Sequence, residues 1–364
     1  MAIVASLFGD LAQEQNLQAL IDDQLQLLYG QSIWRRHLDW GVPQMELTFA
    51  TAIGRSRIES AASIVDPDSP APKRSRNKLE KLEGKIPTMK EAFDLNQDDY
   101  RKLRSLQNLP ISDQARLNLL IQQLWNDVQI AATSTDRRID IMFLQGISTF
   151  EIDVTVLNNP DGVDFGKIDL LASADQKRTV SKVWTDSTAD PIKDIEDVVT
   201  YAGSKGRRFN EIWMDQSTWS RFKNHPEVYK KLAAFYNPGS GRTVAITRSA
   251  INEYMVENEL PQIVVQNHRI AVEKDGKPEI INPFKVENVV FVPAGKLGIV
   301  HNAISIETME PVEGINYATY DRTLVSKWRD NNPWKEFTQA ELNAFPALEQ
   351  IDGIYLLQTD VPTV

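Results

Sequence analysis

Residues 112–146 read SDQARLNLLIQQLWNDVQIAATSTDRRIDIMFLQG, and this stretch decides the fold. Apolar or small side chains recur in it at three- and four-residue steps, the periodicity of one face of an amphipathic helix. Ser112 is a suitable N-cap and Gly146 a suitable end. If the helix is continuous, it is about 50 Å long. The positions on this face are Leu117, Leu120, Leu124, Val128, Ala131, Thr135, Ile139 and Met142.

One point of the predicted helix is weak. The cluster Thr133, Ser134 and Thr135 has low helix propensity, so a break near Ser134 is the alternative to a continuous helix. The sequence alone leaves both open.

A hairpin follows the helix. Apolar residues alternate with polar ones from Phe150 to Val156, which predicts a half-buried strand, and residues 158–162 form the turn. The return strand places Val163 and Phe165 on one face and then changes parity near Gly166, as a β-bulge would. Mixed helices and strands continue to the end of the chain, so the sequence predicts an α+β protein.

The residues before the helix form a charged arm that is rich in proline. Its basic residues are Arg55, Arg57, Lys73, Arg74, Arg76, Lys78, Lys81 and Lys85. Three interpretations remain open: a solvated loop, an arm that orders on an acidic neighbouring surface, and a nucleic-acid contact. Single-strand binding usually stacks bases on aromatic side chains, and none lies within this basic run, which disfavours the third interpretation. Phe93, just beyond the run, is a candidate apolar anchor of the arm.

The composition limits the classes of function. The chain has 364 residues, 42% of them hydrophobic, which is enough for two domains with appendages. It contains no cysteine, so disulfides, thiolate zinc sites and cysteine nucleophiles are excluded. A net charge of −10 disfavours a general nucleic-acid binder. We expect neither a signal peptide nor a membrane-spanning segment.

No catalytic or cofactor motif stands out. The histidines His37, His225, His268 and His301 do not have the spacing of a metal motif. We therefore predict no catalytic, cofactor-binding or metal-binding residues and no cofactor. The alternative from the enzyme class is a metal-dependent cytoplasmic hydrolase with carboxylates from Asp153, Asp164 and Asp169. These residues lack the glycine and the closing glutamate of a calcium loop, so a turn and a polar strand face are the preferred interpretation.

Several ordered motifs resemble one family of viral proteins. They are Trp184 before the run Asp190-Pro191-Ile192-Lys193-Asp194-Ile195, then Glu211-Ile212-Trp213-Met214-Asp215 with Trp219 and Phe222, and finally Trp328, Pro333, Phe337, Ala344, Pro346 and residues 354–357. In this order the chain resembles a tailed-bacteriophage major capsid protein of the lambda-like E family, which has the HK97 fold. The resemblance is strongest from about Ser112 onward and weakest in the amino-terminal arm.

The resemblance implies an HK97-like capsid fold with an extended arm, a long spine helix, a peripheral domain and an axial domain. The implied divisions are an amino-terminal arm at 1–45, an extended loop at 46–100, a peripheral domain with spine helix and hairpin at 101–189, an axial domain at 190–304, and a return to the peripheral domain at 305–364. The extended loop would lie over a neighbouring subunit, so the eight basic residues of the arm and Phe93 are predicted intersubunit contacts.

The function implied by the resemblance is structural and not enzymatic. The subunit would self-assemble into pentamers and hexamers of an icosahedral phage head that encloses double-stranded DNA without sequence-specific binding. Scaffolding, portal and decoration proteins are further candidate partners, and no membrane is involved. The expected location is the virion capsid, assembled in the host cytoplasm. An encapsulin-like cargo shell with the same fold is the second alternative.

Overall fold

The structure is a computed structural model that describes residues 13–54, 79–107, 113–155, 158–160, 162–236, 246–331 and 334–362. Its helices are α1 (Glu14–Tyr29), α2 (Trp34–His37), α3 (Gln97–Gln107), α4 (Asp113–Thr149), α5 (Pro191–Ser204), α6 (Gln216–Lys223), α7 (Pro226–Tyr236), α8 (Arg248–Glu257) and α9 (Ile306–Met309). Its strands are β1 (Leu38–Trp40), β2 (Thr48–Gly54), β3 (Leu79–Lys85), β4 (Thr88–Leu95), β5 (Glu151–Val154), β6 (Gly166–Asp169), β7 (Lys177–Val180), β8 (Glu211–Asp215), β9 (Gln262–Gln266), β10 (Ile270–Lys274), β11 (Lys277–Ile281), β12 (Asn288–Val292), β13 (Gly298–Ala303), β14 (Asn316–Tyr320), β15 (Thr323–Asn331), β16 (Trp334–Ala347) and β17 (Tyr355–Pro362).

The chain divides into two compact units, each made of three separate segments. Unit 1 comprises Met1–Phe49, Gly84–Asp140 and Ile299–Pro346. Unit 2 comprises Ala50–Glu83, Ile141–Gly298 and Ala347–Val364.

Unit 1 is built on a six-stranded sheet with the order β1-β13-β16-β15-β14, in which β4 also pairs with β16. The strand β16 is 14 residues long and therefore has room for several partners. It pairs antiparallel with β15 from Asn331↔Trp334 to Leu324↔Glu341, and with β4 from Glu336↔Leu95 to Asn343↔Thr88. The middle of β16 is thus hydrogen-bonded on both sides.

One core cluster of unit 1 joins helices to this sheet. Buried Leu17 and Ile21 of α1 lie with Val128 of α4 and with Tyr320 of β14, all with exposed fractions of 0%. The amphipathic pattern of α1 explains the contact, because its Leu and Ile side chains recur at helical spacing. Burial of these side chains holds both helices on the sheet.

The long helix α4 is continuous through Ser134, so the alternative of a break at that residue is wrong. Its 37 residues correspond to a length of about 55 Å. The hydroxyl of Ser134 donates to the carbonyl of Ala131 at 2.7 Å, and the hydroxyl of Thr133 donates to the carbonyl of Gln129 at 2.8 Å. The helix itself therefore satisfies these polar side chains. Because Ser112 lies outside the described residues, its predicted role as N-cap stays a prediction.

The prediction that Gly146 ends α4 is wrong, since the helix continues to Thr149. A Cβ atom at Gly146 would lie 3.0 Å from Leu170 and 3.2 Å from Ile152, so the glycine permits close packing against the β5–β6 hairpin. Helical geometry instead stops at Phe150, whose φ is 62°. Only a few per cent of non-glycine residues adopt such a value.

Unit 2 contains a five-stranded sheet with the order β7-β17-β12-β8-β9. Strand β12 pairs antiparallel with β17 and β8, whereas β8 pairs parallel with β9. All five residues of β12 are buried, as expected for a central strand that is covered on both faces. The largest described core cluster surrounds this sheet and includes Trp184, Ile195, Trp219 and Phe222.

The predicted helix starts in unit 2 are confirmed. Asp190 caps α5 by accepting a hydrogen bond from the backbone N of Lys193, and Pro191 occupies the first turn. Asp215 caps α6 in the same way, with its carboxylate on the backbone N of Ser217. Two hairpins, β5–β6 and β10–β11, complete this unit. The predicted irregularity of the first hairpin lies at Gly166, where φ is 75° and β6 begins.

Candidate intersubunit surface

Most of the predicted contact residues of the arm, Arg55, Arg57, Lys73, Arg74, Arg76 and Lys78, lie outside the described residues. Lys81 is on β3, exposed, and its Nζ lies 2.5 Å from a carboxylate oxygen of Glu83. Lys85 ends the same strand and is exposed. Phe93 is half-buried on β4, opposite Thr338 of β16. The structure thus places Phe93 in the sheet of unit 1 and leaves two lysines on the surface.

An exposed apolar segment lies at the edge of the same sheet. The backbone N of Gln44 donates to the carbonyl of Asn302 at 3.0 Å, and the carbonyl of Gln44 accepts from the backbone N of Ile304 at 2.9 Å. These bonds extend the edge beyond β1 and fix residues 41–47 next to β13. Three side chains of this segment are nevertheless exposed, with fractions of 87% for Val42, 64% for Met45 and 47% for Leu47.

Aromatic packing anchors the end of this segment. Phe49 is buried and stacks on Phe345 with ring centroids 4.5 Å apart, and on His301 at 4.9 Å. Leu47 is held as well, because its carbonyl accepts from the backbone N of Ile86 at 2.9 Å. Burial lowers the pKa of His301, which favours a neutral imidazole in this stack. The backbone is therefore fixed on both sides of the exposed apolar side chains.

A second exposed apolar segment follows β13 directly. Ile306 and Met309 on α9 and Val312 beyond it recur every three residues and are exposed by 71%, 43% and 48%. The hydrogen bond from Ile304 to Gln44 joins this segment to the first one. Large exposed side chains that occur singly are ordinary, but a contiguous group of them marks an interaction site. We call residues 42–47 and 306–313 the acidic apolar surface.

The charges of this surface have one sign. Glu46, Glu307, Glu310 and Glu313 lie among the apolar residues, and residues 41–48 and 304–315 contain no lysine or arginine. Within the described part of the chain, no lysine or arginine side chain forms an ion pair with Glu310 or Glu313. Carboxylates in this arrangement favour a partner with positive charge.

A buried polar cluster fixes the chain just before the acidic apolar surface. Arg35 of α2 donates to both oxygens of Asp136 on α4, at 2.9 Å and 3.2 Å, and to Asp321 at 2.7 Å. Trp40 of β1 donates its indole N–H to Asp321 at 2.6 Å, and Tyr320 donates its hydroxyl to Asp136 at 2.8 Å. Two carboxylates thus hold a nearly buried guanidinium.

The pKa shifts of this cluster follow from its burial and its charges. Burial alone lowers the pKa of Arg35, but Asp136 and Asp321 more than offset that effect, so the pKa lies above its ordinary value. Burial raises the pKa of Asp136, and Arg35 opposes that rise. Burial and the proximity of Asp136 raise the pKa of Tyr320 as well, so its hydroxyl remains a donor.

The carboxylates considered for a hydrolase do not gather into a metal site. Asp153 accepts from the backbone N of Thr155, and Asp164 accepts from the backbone N of Gly166. Asp169 accepts from the backbone N of Leu171. Each carboxylate therefore caps its own turn, and no group of three or more metal-binding side chains occurs among the described residues. In the same part of the chain, no helix is long and apolar enough to cross a membrane.

Sequence reasoning missed both the acidic apolar surface and the Arg35 cluster. A signal for the surface exists in the sequence, because Ile306, Met309 and Val312 alternate with glutamates at the same three-residue step. No comparable signal marks Arg35, since the donor and acceptor with Asp321 are 286 positions apart.

Comparison with solved structures identifies the fold. A crystal structure of a protein assigned as a prophage capsid protein, from Escherichia coli CFT073, is 14% identical to this chain, with a TM-score of 0.61; the match covers 95% of this chain and 98% of that one. A phage-related protein from Bordetella bronchiseptica RB50 is 15% identical, with 100% of both chains covered and a TM-score of 0.48. The capsid of cyanophage A-1(L) is 9% identical, with 90% of this chain and 92% of that one covered and a TM-score of 0.45.

The fold is that of HK97-like phage capsid proteins, a class of structural proteins and not of enzymes. The sequence profile described as Phage major capsid protein E matches residues 51–359, which is most of the chain. The chain therefore belongs to the phage major capsid protein E family, and its place is the virion capsid. No curated protein sequence matches it significantly. The resemblance noted in the sequence is thus confirmed.

Proposed function

We propose that this chain is the subunit that builds the icosahedral head of a tailed phage by self-assembly into pentamers and hexamers around double-stranded DNA. The observation that carries the proposal is the family match over residues 51–359. Identical subunits in such a shell occupy non-identical environments, so the chain must flex while its fold is kept. The extended loop at 46–100 and the long helix α4 are the elements to which we assign that flexing.

The division into domains supports this assignment of roles. We propose that residues 190–304 form the axial domain and that 101–189 and 305–364 form the peripheral domain. Residues 191–298 lie within unit 2 and carry α5 to α8, which is consistent with a compact axial domain. We also propose that the loop at 46–100 lies over a neighbouring subunit, with its basic residues on acidic groups of that neighbour. Exposed ion pairs are weak singly, but a shell repeats them many times.

The net charge of −10 suits a container for DNA. An attractive inner wall would retain DNA through phosphate contacts, whereas an acidic one leaves it free to be packed and ejected. We propose that the shell encloses DNA without sequence-specific binding and assembles in the host cytoplasm. Scaffolding, portal and decoration proteins are its proposed partners.

Electron microscopy of the purified chain tests the proposal. We expect closed particles with five- and six-fold clusters of subunits, formed by the chain alone or together with the scaffolding protein of its phage. Sedimentation of the same sample gives the fraction of chain in particles. A monodisperse monomer that forms neither rings nor shells with the scaffold present would contradict the proposal.

A further inference from the structure

The acidic apolar surface faces no other part of the described chain, although its backbone is firmly held. Gln44 is bonded on both sides of its peptide to residues after β13, and Phe49 is buried at its end. Val42, Met45 and Ile306 are nevertheless among the most exposed large apolar side chains in the described residues. A rigid surface of this kind costs little ordering entropy when a partner binds.

Its chemistry selects a partner with positive charges on long aliphatic stems. Glutamates lie among the apolar side chains here, so a purely apolar partner would bury carboxylates without counterions. Lysine and arginine can lie with their methylenes across apolar side chains while their head groups reach the carboxylates. A partner segment that is rich in these two residues thus meets both requirements.

One segment of the chain itself has this composition. Residues 73–85, KRSRNKLEKLEGK, carry six lysines and arginines against two glutamates, a net charge of +4. Its last seven residues form β3, and Ile86 follows directly, bonded to Leu47 of the surface. A strand of seven residues spans roughly 23 Å, so β3 leads the basic residues before it away from the surface of the same copy. Another copy is the natural source of the segment.

We propose that the acidic apolar surface, residues 42–47 and 306–313, binds the basic segment 73–85 of a neighbouring copy of this chain. The inference rests on the proposed function and deepens it, because it names the surface that receives the extended loop. Contacts between Lys or Arg head groups and Glu307, Glu310 and Glu313 set the position, and Val42, Met45 and Ile306 are covered by the aliphatic stems.

Charge exchange tests the pairing. Four proteins are compared: wild type, the surface variant E307K/E310K/E313K, the segment variant R74E/R76E/K78E, and the protein that carries all six changes. We expect each triple variant to form at least tenfold fewer shells, as measured by sedimentation and electron microscopy. The sixfold variant should recover to within about threefold of wild type, because both charges are then reversed.

A matched control and a folding control keep this result interpretable. The variant E257K/E273K/E279K changes the net charge equally, at three exposed glutamates of unit 2, and should assemble normally. Circular dichroism and thermal melting of the unassembled subunits report whether each variant is folded. Wild-type shells together with equal shell yields from the surface variant would overturn this inference alone. So would folded triple variants whose losses add in the sixfold variant. Failure of wild type to form shells would count against the proposed function.

Disulfide trapping locates the contact directly, since the chain has no cysteine of its own. Copies carrying M309C are mixed and assembled with copies carrying K78C, so a disulfide between the two positions can form only between chains. We expect a dimer band on a non-reducing gel. Replacing K78C by K102C, at an exposed residue of α3, should abolish the band. Absence of the band from intact shells, or an equal band with K102C, would overturn the proposal.

Discussion

At the scale of single residues, Arg35 shows how a charged side chain becomes structural. Its guanidinium contacts Asp136 and Asp321 and also lies 4.1 Å from the ring centre of Tyr29. The side chains of Arg35 and Asp136 are exposed by only 14% and 2%. Removing one partner of a buried pair is costly because it leaves the other charge without compensation.

The variant D136A should therefore unfold more easily than wild type, by about 3–5 kcal/mol. Chemical denaturation of the unassembled subunit measures the difference. The matched control is D197A, which removes the exposed carboxylate of the Lys193–Asp197 pair on α5 and should leave the unfolding midpoint unchanged. Equal effects of the two substitutions would contradict a structural role for the Arg35 cluster.

At the scale of elements, helix α4 runs without a break through three consecutive residues of low helix propensity. Their hydroxyls donate to carbonyls of the preceding turn. This arrangement satisfies the side chains without supplying new stability, because the helix would make its own backbone bonds in any case. The continuity of α4 comes instead from its packing, with Val128 and Ala132 buried against the sheet of unit 1.

A proline at position 134 should break what serine permits. The variant S134P removes a backbone donor and introduces a clash, which costs about 3 kcal/mol or more in a helix interior. The variant S134A should be neutral or slightly stabilising, because alanine has the higher helix propensity. Thermal unfolding of the two variants separates these outcomes. A wild-type melting curve for S134P would show that α4 is not under tension across this point.

The cap of α5 provides a test that depends on pH. Burial alone would raise the pKa of Asp190, but hydrogen bonds from Lys231 and from the backbone N of Lys193 outweigh it, so the pKa is lowered. An aspartate with a lowered pKa stabilises the fold above its unfolded value of about 3.9, and this contribution is lost as the pH falls through the folded value.

At pH 7 the variant D190A should lose about 1 kcal/mol of stability, the usual worth of an N-cap. D190N keeps a capping acceptor and removes only the charge, so it should lose less. The difference between wild type and D190N should shrink when denaturation is repeated near pH 3. Equal losses for D190A and D190N at pH 7 would argue against capping by this side chain.

The elements that were predictable are those whose signals are local. The caps of α5 and α6 and the face of α4 depend on residues within one or two turns, so the sequence alone displays them. Gly146 misled because the same residue serves both helix ends and close packing, and only its contact with Leu170 distinguishes the two. The acidic apolar surface was hidden because tertiary pairing decides which apolar residues remain uncovered.

At the scale of the whole molecule, charge is unevenly distributed. The chain carries −10 overall, while residues 73–85 carry +4. Such a separation favours contacts between copies over contacts with DNA, because the acidic remainder repels phosphates. It also implies that assembly is sensitive to salt, since exposed charges are screened within about 10 Å at 0.1 M salt.

Charge reversal in the variant R74E/R76E/K78E should therefore weaken assembly more than DNA binding. Shell yield by sedimentation and DNA retention by the same subunits in a gel-shift assay measure the two effects side by side. Raising the salt concentration should reduce shell yield of wild type in the same direction. Intact shells from the triple variant in normal yield would contradict the assignment of these residues to contacts between subunits.

The division of unit 1 into three segments also governs when a subunit can join a shell. Its last segment, Ile299–Pro346, is translated after the whole of residues 141–298. While a chain is still on the ribosome, Arg35 waits for Asp321, and residues 306–313 do not yet exist beside residues 42–47. A nascent chain therefore has no complete surface to offer a neighbour. We expect the order of synthesis to act as a timer that keeps growing chains on one messenger RNA from joining one another before release.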